Sequence, residues 1–120
     1  MITIRTNRML YVAGPISADT GARVKFTEAT KKLVEAGYGV VDPMSLNPEE
    51  YFPGFKDMPS EEKELAQLKT DLIVMLRCDG VATLPMDHSS KGMARELAIA
   101  FSLDMPVYPV NTWLEGGHYE

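Results

Sequence analysis

Basic side chains are outnumbered in this chain, cysteine occurs once, and no apolar run is long. Twelve Lys and Arg stand against seventeen Asp and Glu, a formal net charge of -5 over 120 residues. That deficit speaks against a broad duplex nucleic-acid surface, which works by neutralising phosphates. A small anionic ligand stays open, because a local hollow can be positive on an acidic protein. The lone Cys78 cannot close an internal disulfide and has no CxxC or Cys/His company. Neither a disulfide framework nor a zinc site is therefore expected, and a reduced, cytoplasmic location is the simplest expectation. The longest apolar run, LIVML at 72–76, is far too short to cross a bilayer, and the opening MITIRTNRMLYVAG lacks the pattern of a signal peptide. No membrane association is expected. The turn at Gly14 is neither a GxGxxG nor a P-loop, so it supports no dinucleotide reading.

What is there is globular: 45% hydrophobic and 24% charged residues, close to average. The length suits one domain over 1–120, with a core over about 9–110 and a tail at 111–120. Apolar segments alternate in period along it. MLYVAG, closed by Gly14 and Pro15, reads as a buried strand, and the stretch from about Gly21 to Ala36 has Val24, Phe26, Ala29, Leu33 and Val34 at helical spacing, with Gly37 at its C-terminal cap. YGVVDP is a second strand. After a loop rich in Pro and aromatic residues, Ser60 is placed to cap a second helix whose first turn holds Glu61 and Glu62 and whose apolar side carries Leu65, Leu68, Leu72 and Leu76. GVATLP, a helix from about Lys91 to Leu103, and MPVYPV complete the alternation. Strands alternating with helices imply right-handed crossovers. The expected fold is α/β, a single small doubly wound parallel sheet of four or five strands in a flavodoxin-like or Rossmann-like three-layer sandwich.

In such a sheet ligands bind beyond the carboxyl ends of the strands, near the reversal of strand order. AGPIS at 13–17 and LPMDHSSKG at 84–92 should share that rim. In the third helix Met93, Leu97, Ala100 and Phe101 form an apolar stripe, and Glu96 falls inside it. A carboxylate in a core-facing stripe is costly unless it is paired or used. Glu96 either meets a ligand or anchors a loop. Because helical side chains lean toward the N-terminus, it should point back at the rim, where Tyr11 can bring a hydroxyl. Asp71 lies at the edge of the leucine stripe, where a solvated flank aspartate is the plain reading. Ser89 and Ser90 suit helix capping, Gly14 and Gly92 suit turns or close backbone approach, and Lys91 and Arg95 suit surface charge or a phosphate. His88 and Asp87 read as surface residues. The loop EEYFPGF offers Tyr51, Phe52 and Phe55 either as a stacking lid or as core plugs, and the eight methionines as core filler.

Taken together, YVAGPIS, the aspartate within KTDLIVMLRCDGVATLP and the run SSKGMARELAIAFSLDMPV resemble the nucleoside 2-deoxyribosyltransferase-like superfamily, which includes 2'-deoxynucleoside 5'-phosphate N-hydrolases. The resemblance spans about Met9 to Val110 and is nearest to the short bacterial and phage members. It implies that Glu96 is a nucleophile, that Ser90 contacts substrate, that Asp71 acts near the leaving base, and that Tyr11 lies against the sugar and the nucleophile. It implies substrate contacts at Gly14, Pro15, Ile16, Ser17 and Gly92 as well. Two positions depart from the family pattern: Ser17 stands where the hydrolases carry a phosphate-holding arginine, and Ala94 stands where a second glycine is frequent. The resemblance also implies a homodimer or higher homo-oligomer.

The implied chemistry is cleavage or exchange of a nucleoside or nucleotide N-glycosidic bond. Breaking C1'–N builds oxocarbenium character on the sugar and negative charge on the base, so it asks for an anion under C1' and an acid beside the base. No metal or organic cofactor is expected. Two readings from other classes stay open: an inactive module on the same fold that senses or sequesters a nucleotide, and an interaction protein in which Glu96 only braces a loop.

Overall fold

Period-two strands and period-3.6 helices divide this chain into eight regular elements, seen in a computed structural model that describes residues 8–15, 21–85 and 91–116. They are β1 (Met9–Ala13), α1 (Ala22–Glu35), β2 (Gly39–Val41), α2 (Ser60–Met75), β3 (Gly80–Thr83), α3 (Lys91–Ser102), β4 (Val107–Pro109) and α4 (Val110–Glu115). The strands pair in parallel in the order β2-β1-β3-β4. The expected α/β parallel sheet is therefore present, with four strands among the described residues. Strand order reverses between β1 and β3, and in sheets of this kind ligands bind at the carboxyl ends of the two strands that flank such a reversal.

Alternation along β1 sorts the core. Leu10 and Val12 join Phe26, Ala29, Leu33, Ala82, Leu84, Val110 and Trp113 on the side covered by α1 and α4. Tyr11 and Ala13 face the other way, into Met75, Val81 and Ala100 beneath α2 and α3. A period of two on one strand thus feeds two cores. Helix α1 stops where the sequence predicts. Gly37, at φ 105°, lets its N–H reach Val34 O at 3.0 Å while the Tyr38 N–H reaches Leu33 O at 3.1 Å. That doubly bonded turn needs a left-handed residue. Helix α3 ends in the same way, with Asp104 at φ 57° in the left-handed place.

Four details differ from the sequence reading. Ser60 is the first residue of α2 rather than its cap; Pro59 caps it, and no side chain bonds the free amides. Leu65 and Leu76 are half exposed, at 49% and 50%, whereas the buried side of α2 consists of Ala66, Thr70, Asp71, Val74 and Met75. The loop after β2 winds into three short 3-10 turns, Pro43–Ser45, Pro48–Glu50 and Phe55–Asp57, and the last two pack on α2. On α3 and α1, Phe101 is 60% exposed and Val24 and Val34 lie in solvent. The stretch after 110, expected as a tail, folds as α4 and covers its own sheet as far as Glu115. Trp113 is fully buried there and donates its indole N–H to Val81 O at 2.9 Å.

Candidate functional site

Tyr11 occupies the middle of β1 and points to the α2/α3 side because its neighbours Leu10 and Val12 take the other side. Its hydroxyl donates to Glu96 Oε2 at 2.7 Å. Glu96 is 5% exposed and shares the buried arc of α3 with Met93 and Ala100. Phe101 falls to the edge of the same arc, which is why it escapes burial. Asp71 comes from α2 at 6% exposure, which overturns its reading as a solvated flank residue. Gln67, one turn earlier, donates its side-chain N–H to Asp71 Oδ1 at 3.1 Å. Thr70 beside it is turned away from the chemistry, its hydroxyl spent on Ala66 O at 2.8 Å.

These surroundings change the acids. Burial pushes Glu96 up to about 7; the Tyr11 hydrogen bond works against that, and the charge and hydrogen bond of Asp71 add to it. Burial likewise pushes Asp71 up to about 6, opposed by its hydrogen bonds with Gln67 and with Glu96. Two carboxyls in one hydrogen bond resist double ionisation, so the pair retains a proton to near neutral pH, and that proton belongs to the pair. The Gln67 N–H favours the ionised form of Asp71 and the Tyr11 hydroxyl that of Glu96, so the two donors bias the pair's proton in opposite directions. The Tyr11 phenol is driven far above its ordinary range by burial and by both carboxyls, and it stays a neutral donor. Desolvated, paired titratable groups of this kind are what chemistry on a developing charge demands.

The remaining sequence candidates divide in two. Gly14, at the exit of β1, is buried against Leu84, whose side chain would lie 2.8 Å from any added Cβ; Pro15 follows it, half-buried, and Gly92 opens α3. The close approach explains Gly14 by packing of the β1 and β3 exits, which the Leu84 N–H to Ala13 O bond at 2.8 Å also ties. Ile16, Ser17 and Ser90 lie outside the described residues, as do Asp87, His88 and Ser89. Of the aromatic loop, Tyr51 and Phe55 are half-buried on α2 under Arg77 and Lys63, 6.0 and 5.7 Å from the ring centroids. Among the described residues, no three His, Cys, Asp or Glu gather as metal ligands would, and no helix is long and apolar enough to cross a membrane. Sequence reasoning missed Gln67; its signal is the i−4 spacing from Asp71 on a helix.

The architecture is that of a parallel α/β sandwich with a buried acid pair beside its strand-order reversal. It is similar in fold to the solved 2-deoxyribosyltransferase of the psychrotolerant bacterium Bacillus psychrosaccharolyticus, with a TM-score of 0.61 and 23% identity over 82% of this chain and 69% of that one. A family model described as a domain of unknown function, DUF4406, matches residues 8–108, and the chain belongs to that family. No curated protein matches it.

Proposed function

We propose that this protein cleaves or exchanges the N-glycosidic bond of a nucleoside or nucleotide, with Glu96 as nucleophile and Asp71 as the acid for the departing base. The observation that carries the reading is the buried triad itself: a carboxylate steadied by a phenol and coupled to a second buried carboxyl from another helix, on the α2/α3 side of β1. The fold shared with a 2-deoxyribosyltransferase supports the substrate class.

In this reading the shared proton crosses from Glu96 to Asp71 as the sugar arrives, because positive charge growing at C1' favours an ionised Glu96. A Glu96 oxygen then bonds to C1' while C1'–N breaks. The electron pair leaves with the base, and the Asp71 proton neutralises it. Water or a second base next attacks C1' and gives its proton to the Asp71 carboxylate as the Glu96–C1' bond breaks, which restores the shared proton and closes the cycle as hydrolysis or transfer. The Tyr11 hydroxyl holds Glu96 Oε2 and lowers the cost of its ionisation. Gly14, Pro15, Ile16, Ser17, Ser90 and Gly92 form the substrate-facing rim in the proposal, and a cytoplasmic homo-oligomer is its setting.

The test is chromatography of a panel of ribo- and deoxyribonucleosides and their 5'-monophosphates after incubation with the protein. Free base is expected from at least one member, and Glu96→Ala should release it at least about a thousandfold more slowly, the scale on which a lost nucleophile is felt. Undiminished release by Glu96→Ala would remove the mechanism. Saturable binding with no released base from any member would replace it with a sensing module.

A further inference from the structure

Among the described residues, each carboxyl of the buried pair has one neutral donor on one oxygen: Tyr11 serves Glu96 Oε2 and Gln67 serves Asp71 Oδ1. The first donor comes from β1. The second comes from α2 itself, one turn before the acid, and its amide is half-buried rather than waving in solvent. A donor N–H at 3.1 Å stabilises a carboxylate more than a carboxylic acid, so each donor draws its own carboxyl toward the ionised form. The two donors therefore pull the shared proton in opposite directions. An oxygen that accepts from Gln67 also cannot easily carry the proton, which confines it to the other oxygen of Asp71.

We infer that Gln67 is a positioning residue of this site: its amide N–H, spent on Asp71 Oδ1, decides on which of the two carboxyls the shared proton rests, in opposition to the Tyr11 hydroxyl. The inference rests on the glycosidic reading for its purpose, though its geometry stands without it. Gln67 biases the resting proton toward Glu96, which quenches the nucleophile until a sugar displaces the balance. After proton delivery the same N–H steadies the Asp71 anion beside the departing base. The groups that set the proton affinity of Asp71 are burial, Gln67 on its own helix and Glu96 on α3. Tyr11 on β1 acts through Glu96.

The test uses the ligand-free full chain labelled with carbon-13 at the Asp and Glu carboxyls, titrated by NMR. Gln67→Met removes the donor and keeps the length of the side chain; Gln67→Asn keeps the amide and shortens its reach. In both, Asp71 should bind its proton about tenfold more tightly, a midpoint about one unit higher. At pH 6.5 the Glu96 carboxyl should move toward its ionised shift. Tyr11→Phe should move Glu96 the opposite way, its midpoint rising. Titration curves for Asp71 and Glu96 in both Gln67 variants that overlay the wild type would overturn the inference. Where base is released, the alkaline limb of its pH profile should rise with the titration in Gln67→Met. A titration shift without release by any form overturns the glycosidic reading and upholds the Gln67 assignment; release with unchanged titrations does the reverse.

Discussion

The two faces of the sheet use the same strand for opposite purposes. Under α1 and α4 the side chains are large and apolar, with Phe26, Leu33 and Trp113 fully buried; the Trp113 indole N–H donates to Val81 O and its main-chain carbonyl accepts from the Tyr38 hydroxyl. Under α2 and α3 the fully buried apolar groups are smaller on average, Ala13 and Ala100 beside Val81 and Met75, and the space between them holds Tyr11, Asp71 and Glu96. One face stores stability and the other forgoes some of it to keep two carboxyls dry. Such a division is expected where a site needs desolvated charge, since ionised groups in a low-dielectric setting weaken the fold that holds them.

The comparison breaks first at Trp113. Truncation by Trp113→Ala should cost about 3–5 kcal/mol in denaturant unfolding, through lost burial and the lost indole hydrogen bond, without altering the acid titrations of the folded fraction. On the other face, Glu96→Gln should stabilise the fold at pH 8 by about 1–2 kcal/mol, because it keeps an acceptor for Tyr11 and removes the buried ionisation. A calorimetric melting temperature reads this, and a lower value for the variant would place the strain elsewhere.

The pH dependence sharpens the same contrast. Folding raises Asp71 from 3.8 to about 6 and Glu96 from 4.5 to about 7, so the folded state binds more protons than the unfolded chain across about pH 4 to 7. The contribution of this pair to stability must then fall as pH rises through that window, and level off above it. Urea melts of wild type minus those of the Asp71→Asn, Glu96→Gln double variant should show that decline. The smallest effect is at the end of α3. Asp104→Gly, which relieves a left-handed residue bearing a side chain, should add about 0.5–1 kcal/mol and leave both faces untouched.

How much of this was legible depended on which force set each position. The strands were readable because short apolar runs ending in Gly or Pro have few other uses, and Gly37 marked the end of α1 through its backbone freedom alone. Glu96 announced itself as a charge in an apolar arc. Asp71 did not. Its helix carries leucines at Leu65, Leu68, Leu72 and Leu76 that look like the buried stripe, yet the side taken into the core is that of Ala66, Thr70, Asp71, Val74 and Met75, with Leu72 only partly buried against it. The position of Asp71 in the site was reached through family resemblance, and periodicity pointed away from it. Gln67 is ordinary in sequence and acquires meaning only once its partner is known to be dry.

The central claim is that Glu96 attacks a sugar carbon while Asp71 supplies the proton. The most direct measurement is peptide mass mapping of protein quenched in acid during incubation with the nucleoside and nucleotide panel. A pentose or pentose phosphate mass is predicted on the peptide containing Glu96 in the wild type and on no peptide of Glu96→Gln. An adduct on another peptide, or base released at the wild-type rate by Glu96→Gln, would contradict the account.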